Sequence, residues 1–161
     1  MKVHLPTYAH GLHRIEEAVD PSDLDLDPQV FCAPISARLS LDRHDQFLQF
    51  HFWLDATVKL CCDRCLVDFD DTIVAEGPML YILGKGPRGE EVDDPEIAYI
   101  ANGTVELDIS TDLRDLIMLS LPEKHLCSDD CKGLCLYCGG DLNFETCDCN
   151  TRELELNQNK N

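Results

Sequence analysis

The sequence predicts an α+β protein, mainly an antiparallel β-sheet with one principal helix, that ends in a cysteine-rich tail. Three observations predict this class. Apolar and polar residues alternate over a long stretch from residue 48, which is the period of a half-buried strand. One stretch after residue 109 has helical spacing, and six of the ten cysteines lie between residues 127 and 149.

The strands are predicted from this alternation. The clearest strand covers residues 48–60, and 35–41 alternates in the same way before it, with 43–46 as the turn. A returning strand is predicted at 67–75. The C-x2-C motif at 62–65 then lies at the tip of a β-hairpin, where a metal ion can reach its thiolates.

A loop and a second hairpin are predicted next. Residues 84–95 are rich in Gly, Glu and Asp and offer little to bury, so they predict a solvated loop. The Lys-Ser/Thr pair of a phosphate-binding loop is absent there. Residues 101–104 have the Asn-Gly signal of a two-residue hairpin between strands at 97–100 and 105–109.

One helix follows these strands. Ser110 or Thr111 is the predicted N-cap, because a hydroxyl can accept a hydrogen bond from the first helical N–H groups. Leu113 and Ile117 lie on its apolar stripe, and Pro122 stops it. The predicted domain organisation is an α+β domain at 1–124, a metal-binding tail at 125–150 and a polar end at 151–161.

Eight of the ten cysteines have metal-ligand spacing. They are Cys62, Cys65, Cys127, Cys131, Cys135, Cys138, Cys147 and Cys149. Zinc is the predicted metal because it accepts four thiolates in a tetrahedron, and eight thiolates predict two zinc ions. Cys32 and Cys61 are interpreted as bystanders, with Cys32 expected to be a small buried residue.

A disulfide framework is the alternative interpretation of these cysteines. Residues 1–20 have no basic start followed by an apolar run and a cleavage site, so we expect no secretory signal. No run of eighteen apolar residues occurs, so no membrane span is predicted. We therefore expect a cytoplasmic, reducing location, in which paired C-x2-C motifs favour metal over disulfides.

The charge of the chain is strongly negative. Thirteen Lys and Arg stand against 31 Asp and Glu, which gives a net charge of -18. Two tetrathiolate zinc sites would make it about -22. Such a surface repels phosphate backbones, so binding of free nucleic acid is not expected, whereas basic proteins are suitable partners. The alternative is that the acidity only maintains solubility.

Four segments resemble the YceD family, the bacterial and plastid family of large-ribosomal-RNA-subunit accumulation proteins. The similar segments are 62–65 (Cys-Asp-Arg-Cys), 107–122, 127–143 with its string Cys-Lys-Gly-Leu-Cys, and 147–149 (Cys-Asp-Cys). Two departures are visible. Leu136 stands where a proline is usual, and Asp115 where a glutamate is common, but neither removes a thiol.

This resemblance implies a non-enzymatic role in ribosome biogenesis. It also suggests a partner, since the family's gene commonly lies beside that of a small basic protein of the large subunit. We therefore expect the chain to bind a basic large-subunit ribosomal protein or the pre-ribosomal particle. No catalytic residues can be transferred from the family, and no catalytic constellation is visible in the sequence. Neither the sequence nor the resemblance predicts an oligomeric state.

The sequence leaves two partitions of the eight thiols open. Loop-closure entropy favours local sets, which gives one site from Cys135, Cys138, Cys147 and Cys149 and another from Cys62, Cys65, Cys127 and Cys131. The alternative joins the two C-x2-C motifs, as in zinc ribbons. It places Cys62, Cys65, Cys135 and Cys138 in one site and Cys127, Cys131, Cys147 and Cys149 in the other.

Three other functions are weighed against this interpretation. The spacing from Cys131 to Cys138 matches the three-cysteine cluster motif of radical enzymes that use S-adenosylmethionine, but only 23 residues follow it. A thioredoxin-like role would need Cys62 at a helix start, where the dipole lowers the thiol pKa, and a strand ends there instead. The third alternative is a zinc ribbon that binds RNA directly.

Overall fold

The structure, a computed structural model, describes residues 1–86 and 94–149. Seven strands and one α-helix are assigned in these ranges. They are β1 (Lys2–His4), β2 (Gly11–Val19), β3 (Ile35–His44), β4 (Phe47–Cys61), β5 (Asp68–Leu83), β6 (Ile97–Ile100), β7 (Glu106–Asp108) and α1 (Ser110–Leu119). The predicted class, a mainly antiparallel sheet with one principal helix and a cysteine-rich C-terminal region, is confirmed.

The chain divides into two compact units. Met1–Val58 and Asp71–Leu121 form the first unit, and Lys59–Asp70 and Pro122–Asn161 form the second. All eight candidate cysteines belong to the second unit. The domain bounds predicted from the sequence stay a prediction. The polar end at 151–161 and most of the predicted loop, residues 87–93, lie outside the described residues.

The larger sheet has five strands in the order β2-β3-β4-β5-β6. Both β2 and β4 pair antiparallel with β3, whereas β6 pairs parallel with β5. The alternation predicted for β4 is confirmed, because one face of this strand is buried at every second residue. The buried residues are Leu48, Phe50, Phe52, Leu54, Ala56, Val58 and Leu60.

The hairpin predicted around residues 101–104 is wrong. The turn itself forms, with the N–H of Thr104 donating to the carbonyl of Ala101 at 3.2 Å and Gly103 at φ 82°. The strands on either side of it belong to different sheets. β6 joins the five-stranded sheet, and β7 pairs antiparallel with β1 in a two-stranded sheet. An Asn-Gly signal fixes a reversal of the chain but not the partners of the strands that follow.

The helix α1 buries the stripe that its spacing predicts. Leu113 and Ile117 are fully buried, and the helix ends at Leu119, before Pro122. The predicted cap is wrong, since Ile109 occupies the N-cap position without a side-chain hydrogen bond. Ser110 lies inside the helix, and its N–H donates to a carboxylate oxygen of Asp108 at 3.0 Å.

Candidate metal centre

The first group of cysteines joins parts of the chain that are distant in sequence. The Sγ of Cys65 lies 3.6 Å from the Sγ of Cys127, 62 residues later. The Sγ of Cys62 lies 3.8 Å from that of Cys131. All four sulfur atoms lie within 4.8 Å of one another. Three of the four residues are buried and Cys127 is half-buried. We call this group cluster one.

The second group is local in sequence and closer to the surface. The Sγ of Cys147 lies 3.3 Å from that of Cys135 and 3.5 Å from that of Cys138. The Sγ of Cys149 completes a set within 4.8 Å, and its own N–H donates to the sulfur of Cys147. Cys135 is buried, whereas Cys138 is exposed. We call this group cluster two.

Cluster one begins with a tight turn at its C-x2-C motif. The N–H of Cys62 donates to the carbonyl of Val67 at 2.9 Å, and the N–H of Leu66 donates to the carbonyl of Cys62 at 2.9 Å. Leu66 has φ 60°, a left-handed conformation that is strained for a side chain of this size. This left-handed residue allows the chain to reverse its direction directly after the two thiols.

Cluster two begins with the same turn. The N–H of Cys135 donates to the carbonyl of Gly140 at 2.8 Å, and the N–H of Gly139 donates to the carbonyl of Cys135 at 2.9 Å. Gly139, at φ 71°, occupies the position that Leu66 has in the first turn. The two C-x2-C motifs therefore present their thiols on equivalent backbone frames.

Backbone N–H groups acidify the first thiol of each turn. The N–H of Cys127, and then that of Cys65, lowers the pKa of Cys62 to about 6. The N–H of Cys138, and then that of Tyr137, lowers the pKa of Cys135 to about 6. A thiolate is the form that binds a metal ion, so each cluster holds one sulfur prepared for ligation near neutral pH.

Neighbouring sulfur atoms have the opposite effect on other thiols. The hydrogen bond with Cys65 raises the pKa of Cys127 to about 12. The hydrogen bond with Cys149 raises the pKa of Cys147 to about 12. Four sulfur atoms this close cannot all ionise on their own, because each added thiolate repels the others. A bound cation would remove that repulsion, so each cluster is an arrangement that could hold a metal ion.

The sulfur geometry fits a tetrathiolate metal site. Four sulfur atoms at about 2.3 Å from a central ion stand about 3.8 Å apart. The closest sulfur pairs in the two clusters lie 3.3 to 3.8 Å apart. A disulfide requires about 2.05 Å, and all ten cysteines are free. The donors therefore fit two metal ions and not a disulfide framework.

Apolar side chains pack against cluster one, and two hydrogen bonds between Asp63 and His125 support it. Phe69, Leu126 and Leu134 pack against its buried sulfur atoms. The N–H of Asp63 donates to the carbonyl of His125 at 2.8 Å, and the N–H of His125 donates to the Asp63 carboxylate at 2.8 Å. These bonds hold the segment before Cys127 against the first turn. His125 belongs to neither four-sulfur group.

A short linker, residues 132–134, connects Cys131 of cluster one to Cys135 of cluster two. Arg64, inside the first turn, contacts Cys131 just before the linker and Leu134 at its end. Its guanidinium donates to the carbonyl of Cys131 at 2.8 Å, and its carbonyl accepts from the N–H of Leu134 at 3.0 Å. The linker is therefore fixed to the first turn by one main-chain bond and by the Arg64 side chain, as well as by the thiols.

The linker passes so close to the first turn that glycine is needed at 133. A Cβ on Gly133 would lie 2.9 Å from the Arg64 carbonyl oxygen, and the residue has φ +75°. The Gly133 carbonyl also accepts from the N–H of Leu142 at 2.9 Å. A larger residue would push the linker away from these partners.

Asn143 lies in the loop between the second and third ligands of cluster two, yet its side chain reaches cluster one. Its Oδ1 accepts from the N–H of Lys132 at 2.8 Å. Its Nδ2 donates to the Asp141 carboxylate at 2.8 Å and lies 3.5 Å from the Sγ of Cys131. An N–H needs an acceptor and a carboxylate needs a donor, so these partners fix the orientation of the amide. No pattern in the sequence indicates these contacts of Asn143 and Arg64.

The structure groups the thiols as the first partition predicts. The second partition needs both C-x2-C turns in one site, and they lie in different clusters. The three cysteines that match the radical-enzyme motif are also divided between the clusters. Metal binding by the eight residues stays a prediction. Cys61 and Cys32 are both exposed and lie outside the clusters, so the expected burial of Cys32 is wrong.

Comparison with known proteins gives one family match. The model of the family described as large ribosomal RNA subunit accumulation protein YceD matches residues 50–158. A chloroplastic YCED homolog 1 from Arabidopsis thaliana is 46% identical over 48 residues, which cover 30% of this chain and 15% of the relative. The Zea mays homolog, also chloroplastic, is 34% identical over 67 residues, or 41% of this chain and 23% of the relative.

A third relative matches over more residues but at lower identity. An uncharacterized protein of Mycobacterium leprae is 24% identical over 113 residues, 70% of this chain and 51% of the relative. The chain thus spans about half of the length of these relatives or less. No solved structure gives a significant match. Within residues 1–86 and 94–149, no helix has the length and apolar character needed to span a membrane; the cytoplasmic location stays a prediction.

Proposed function

The chain belongs to the family of large ribosomal RNA subunit accumulation protein YceD, and from this premise we propose that it supports the accumulation of large-subunit ribosomal RNA. It does so as a binding protein and not as an enzyme. Two zinc ions, one in each cluster, stabilise the second unit. The acidic surface binds a basic large-subunit ribosomal protein or a protein-rich region of the precursor particle.

The observation that carries the zinc assignment is the pair of four-sulfur clusters on equivalent turns. Four thiolates are the donor set of structural zinc sites, and hard cations such as magnesium avoid them. Catalytic zinc sites have three protein ligands and leave one position for water or substrate. With four cysteines each, the clusters leave no such position, which supports a structural role.

The charge of the chain supports a basic partner. A net charge of -18 attracts cationic surfaces and accelerates their association. One cleft of the first unit, of about 350 Å³, combines apolar residues with carboxylates, and among the residues that the structure describes neither Lys nor Arg lines it. The carboxylates are those of Glu76, Glu96, Asp112 and Asp115. An aliphatic stem with a cationic head, as in Lys or Arg, matches both features.

Depletion of the protein in its native cell tests the cellular role. We expect a lower ratio of large to small ribosomal subunits in a sucrose gradient. An unchanged ratio would contradict the proposed function. Affinity purification at low salt tests the partner, and we expect a basic large-subunit protein or precursor particles to be retained.

A matched pair of variants tests whether the cleft contributes. Glu96→Gln with Asp115→Asn removes two carboxylates from the cleft, and Glu16→Gln with Glu17→Gln removes two exposed carboxylates from β2. Both variants change the net charge equally. If the cleft binds the partner, only the first pair weakens retention by several fold. Equal losses would indicate a general effect of charge.

Direct binding of RNA is the alternative, and one cleft favours it. This cleft of the second unit, about 590 Å³, is lined by Arg64, Lys132 and Tyr137, among others. Cations and aromatic rings are the groups that contact phosphates and stacked bases. Filter binding to purified large-subunit RNA distinguishes the two functions. We expect weak, non-specific binding, and a submicromolar affinity would favour the RNA-binding function.

A further inference from the structure

The loop that contains Asn143 depends on cluster two for its position. Cys138 and Cys147, the residues on either side of this loop, have their sulfur atoms 3.5 Å apart. Ligation of one ion by both residues would close the loop and limit where Asn143 can lie. Without that closure, placing the Asn143 amide costs the conformational entropy of the open loop.

The contact made by Asn143 acts on a ligand of cluster one. Its Nδ2 lies 3.5 Å from the Sγ of Cys131, and its Oδ1 accepts from the N–H of Lys132. An N–H donor beside a thiolate stabilises the negative charge that a metal ion needs from its ligand. The bond to Lys132 also fixes the backbone directly after Cys131. Asn143 therefore lies in the loop of cluster two, but its side chain contacts a cysteine of cluster one.

We propose that the two metal sites fill as a coupled pair, with Asn143 as the positioning residue that links them. A metal ion in cluster two closes the loop, the loop places the Asn143 amide against Cys131, and cluster one binds its ion more tightly. Binding free energies are reciprocal, so an ion in cluster one strengthens cluster two by the same factor. This inference rests on the proposed metal binding.

Site-resolved alkylation tests the coupling. The full chain is stripped of metal, equilibrated at a series of buffered free zinc concentrations and alkylated. Mass spectrometry of its peptides then gives the zinc concentration that half-protects Cys127 and Cys131. Four proteins are compared: wild type, Asn143→Ala, a variant with Cys147→Ser and Cys149→Ser that lacks cluster two, and the combination of all three changes.

Loss of a group that orients a metal ligand weakens binding by about 10-fold or more. We therefore expect cluster one to need about 10-fold more zinc in Asn143→Ala and in the variant without cluster two. The combined variant should need little more than either, because both changes remove the same contact. An unchanged midpoint in the variant without cluster two, or effects that multiply, would overturn the coupling.

Two further variants separate positioning from general damage. Asn143→Asp keeps an oxygen for the N–H of Lys132 but cannot donate to Cys131, so it should weaken cluster one as Asn143→Ala does. Ser128→Ala removes a side-chain bond to Asp130 in the same unit that involves no sulfur, and it should leave the midpoint unchanged. Equal shifts in Ser128→Ala and Asn143→Asp would contradict a specific role. Absence of zinc protection in the wild type would instead refute the metal sites themselves.

Discussion

Cluster one and cluster two have the same four donors and the same entry turn, but they hold together different lengths of chain. The sulfur contacts of cluster one join residues 62 and 69 positions apart, and those of cluster two join residues 9 and 12 positions apart. Three cysteines are buried in cluster one and one in cluster two. Loop-closure entropy grows with the length of chain that is closed. The same four donors therefore stabilise the whole second unit in cluster one but only a short loop in cluster two.

Removal of both metal ions should have the largest effect. Structural zinc contributes roughly 10 kcal/mol or more to the folding of small modules, which is comparable to the stability of a domain. We expect a strong chelator to abolish hydrogen-exchange protection of amides within 122–149. Amides of β3, in the first unit, serve as the internal reference. Equal protection of 122–149 before and after metal removal would show that the unit folds without ions.

Single ligand changes should distinguish the clusters. Cys62→Ser breaks the site that joins distant segments and should destabilise the protein by about 4 kcal/mol or more. Cys147→Ser opens a short loop near the surface and should lower the melting temperature less. Thermal unfolding monitored by circular dichroism measures both. Equal losses of melting temperature would contradict the difference between the two clusters.

Two glycines with the same backbone conformation test the contact between the linker and the first turn. Gly133 and Gly139 have φ +75° and +71°, but a Cβ meets the Arg64 carbonyl at 2.9 Å only at Gly133. Gly139→Ala should cost about 1 kcal/mol from the left-handed conformation alone. Gly133→Ala should cost about 2 to 4 kcal/mol, because the clash is added. Urea unfolding of the zinc-loaded proteins checks this order, and equal costs would show that the linker moves freely.

The smallest effect is expected from Leu66→Gly, a substitution that makes the first turn resemble the second. Leu66 occupies the left-handed position that glycine fills in cluster two, and its side chain is mostly exposed. Leu66→Gly relieves the strain but adds freedom to the unfolded chain, so we expect a change within about 1 kcal/mol. The melting temperature of the zinc-loaded protein measures it. A large loss would show that the exposed leucine makes a contact important for stability.

Local pattern was sufficient for some elements of the fold. The alternation of β4 and the apolar stripe of α1 were predicted because burial follows a fixed period. The partners of β6 and β7 were not, since pairing depends on tertiary contacts that a turn signal does not encode. β2 was not predicted either, because Arg14, Glu16 and Glu17 interrupt its apolar pattern.

The candidate site was predictable in composition and only partly in arrangement. Spacing identified all eight thiols, because metal ligands must converge and short motifs favour this. It left two partitions open, since the choice depends on which distant segments meet. Arg64 and Asn143 were missed because they act through individual hydrogen bonds to backbone groups and neighbouring side chains, and such bonds leave no spacing signature in a sequence.

The metal content of the purified chain tests the central claim most directly. Native mass spectrometry of protein from zinc-replete cells should show two zinc ions per chain and no disulfide. The variant with Cys147→Ser and Cys149→Ser should retain one ion, held by cluster one. A chain without metal, a chain with iron and sulfide, or one with intact disulfides would contradict the account.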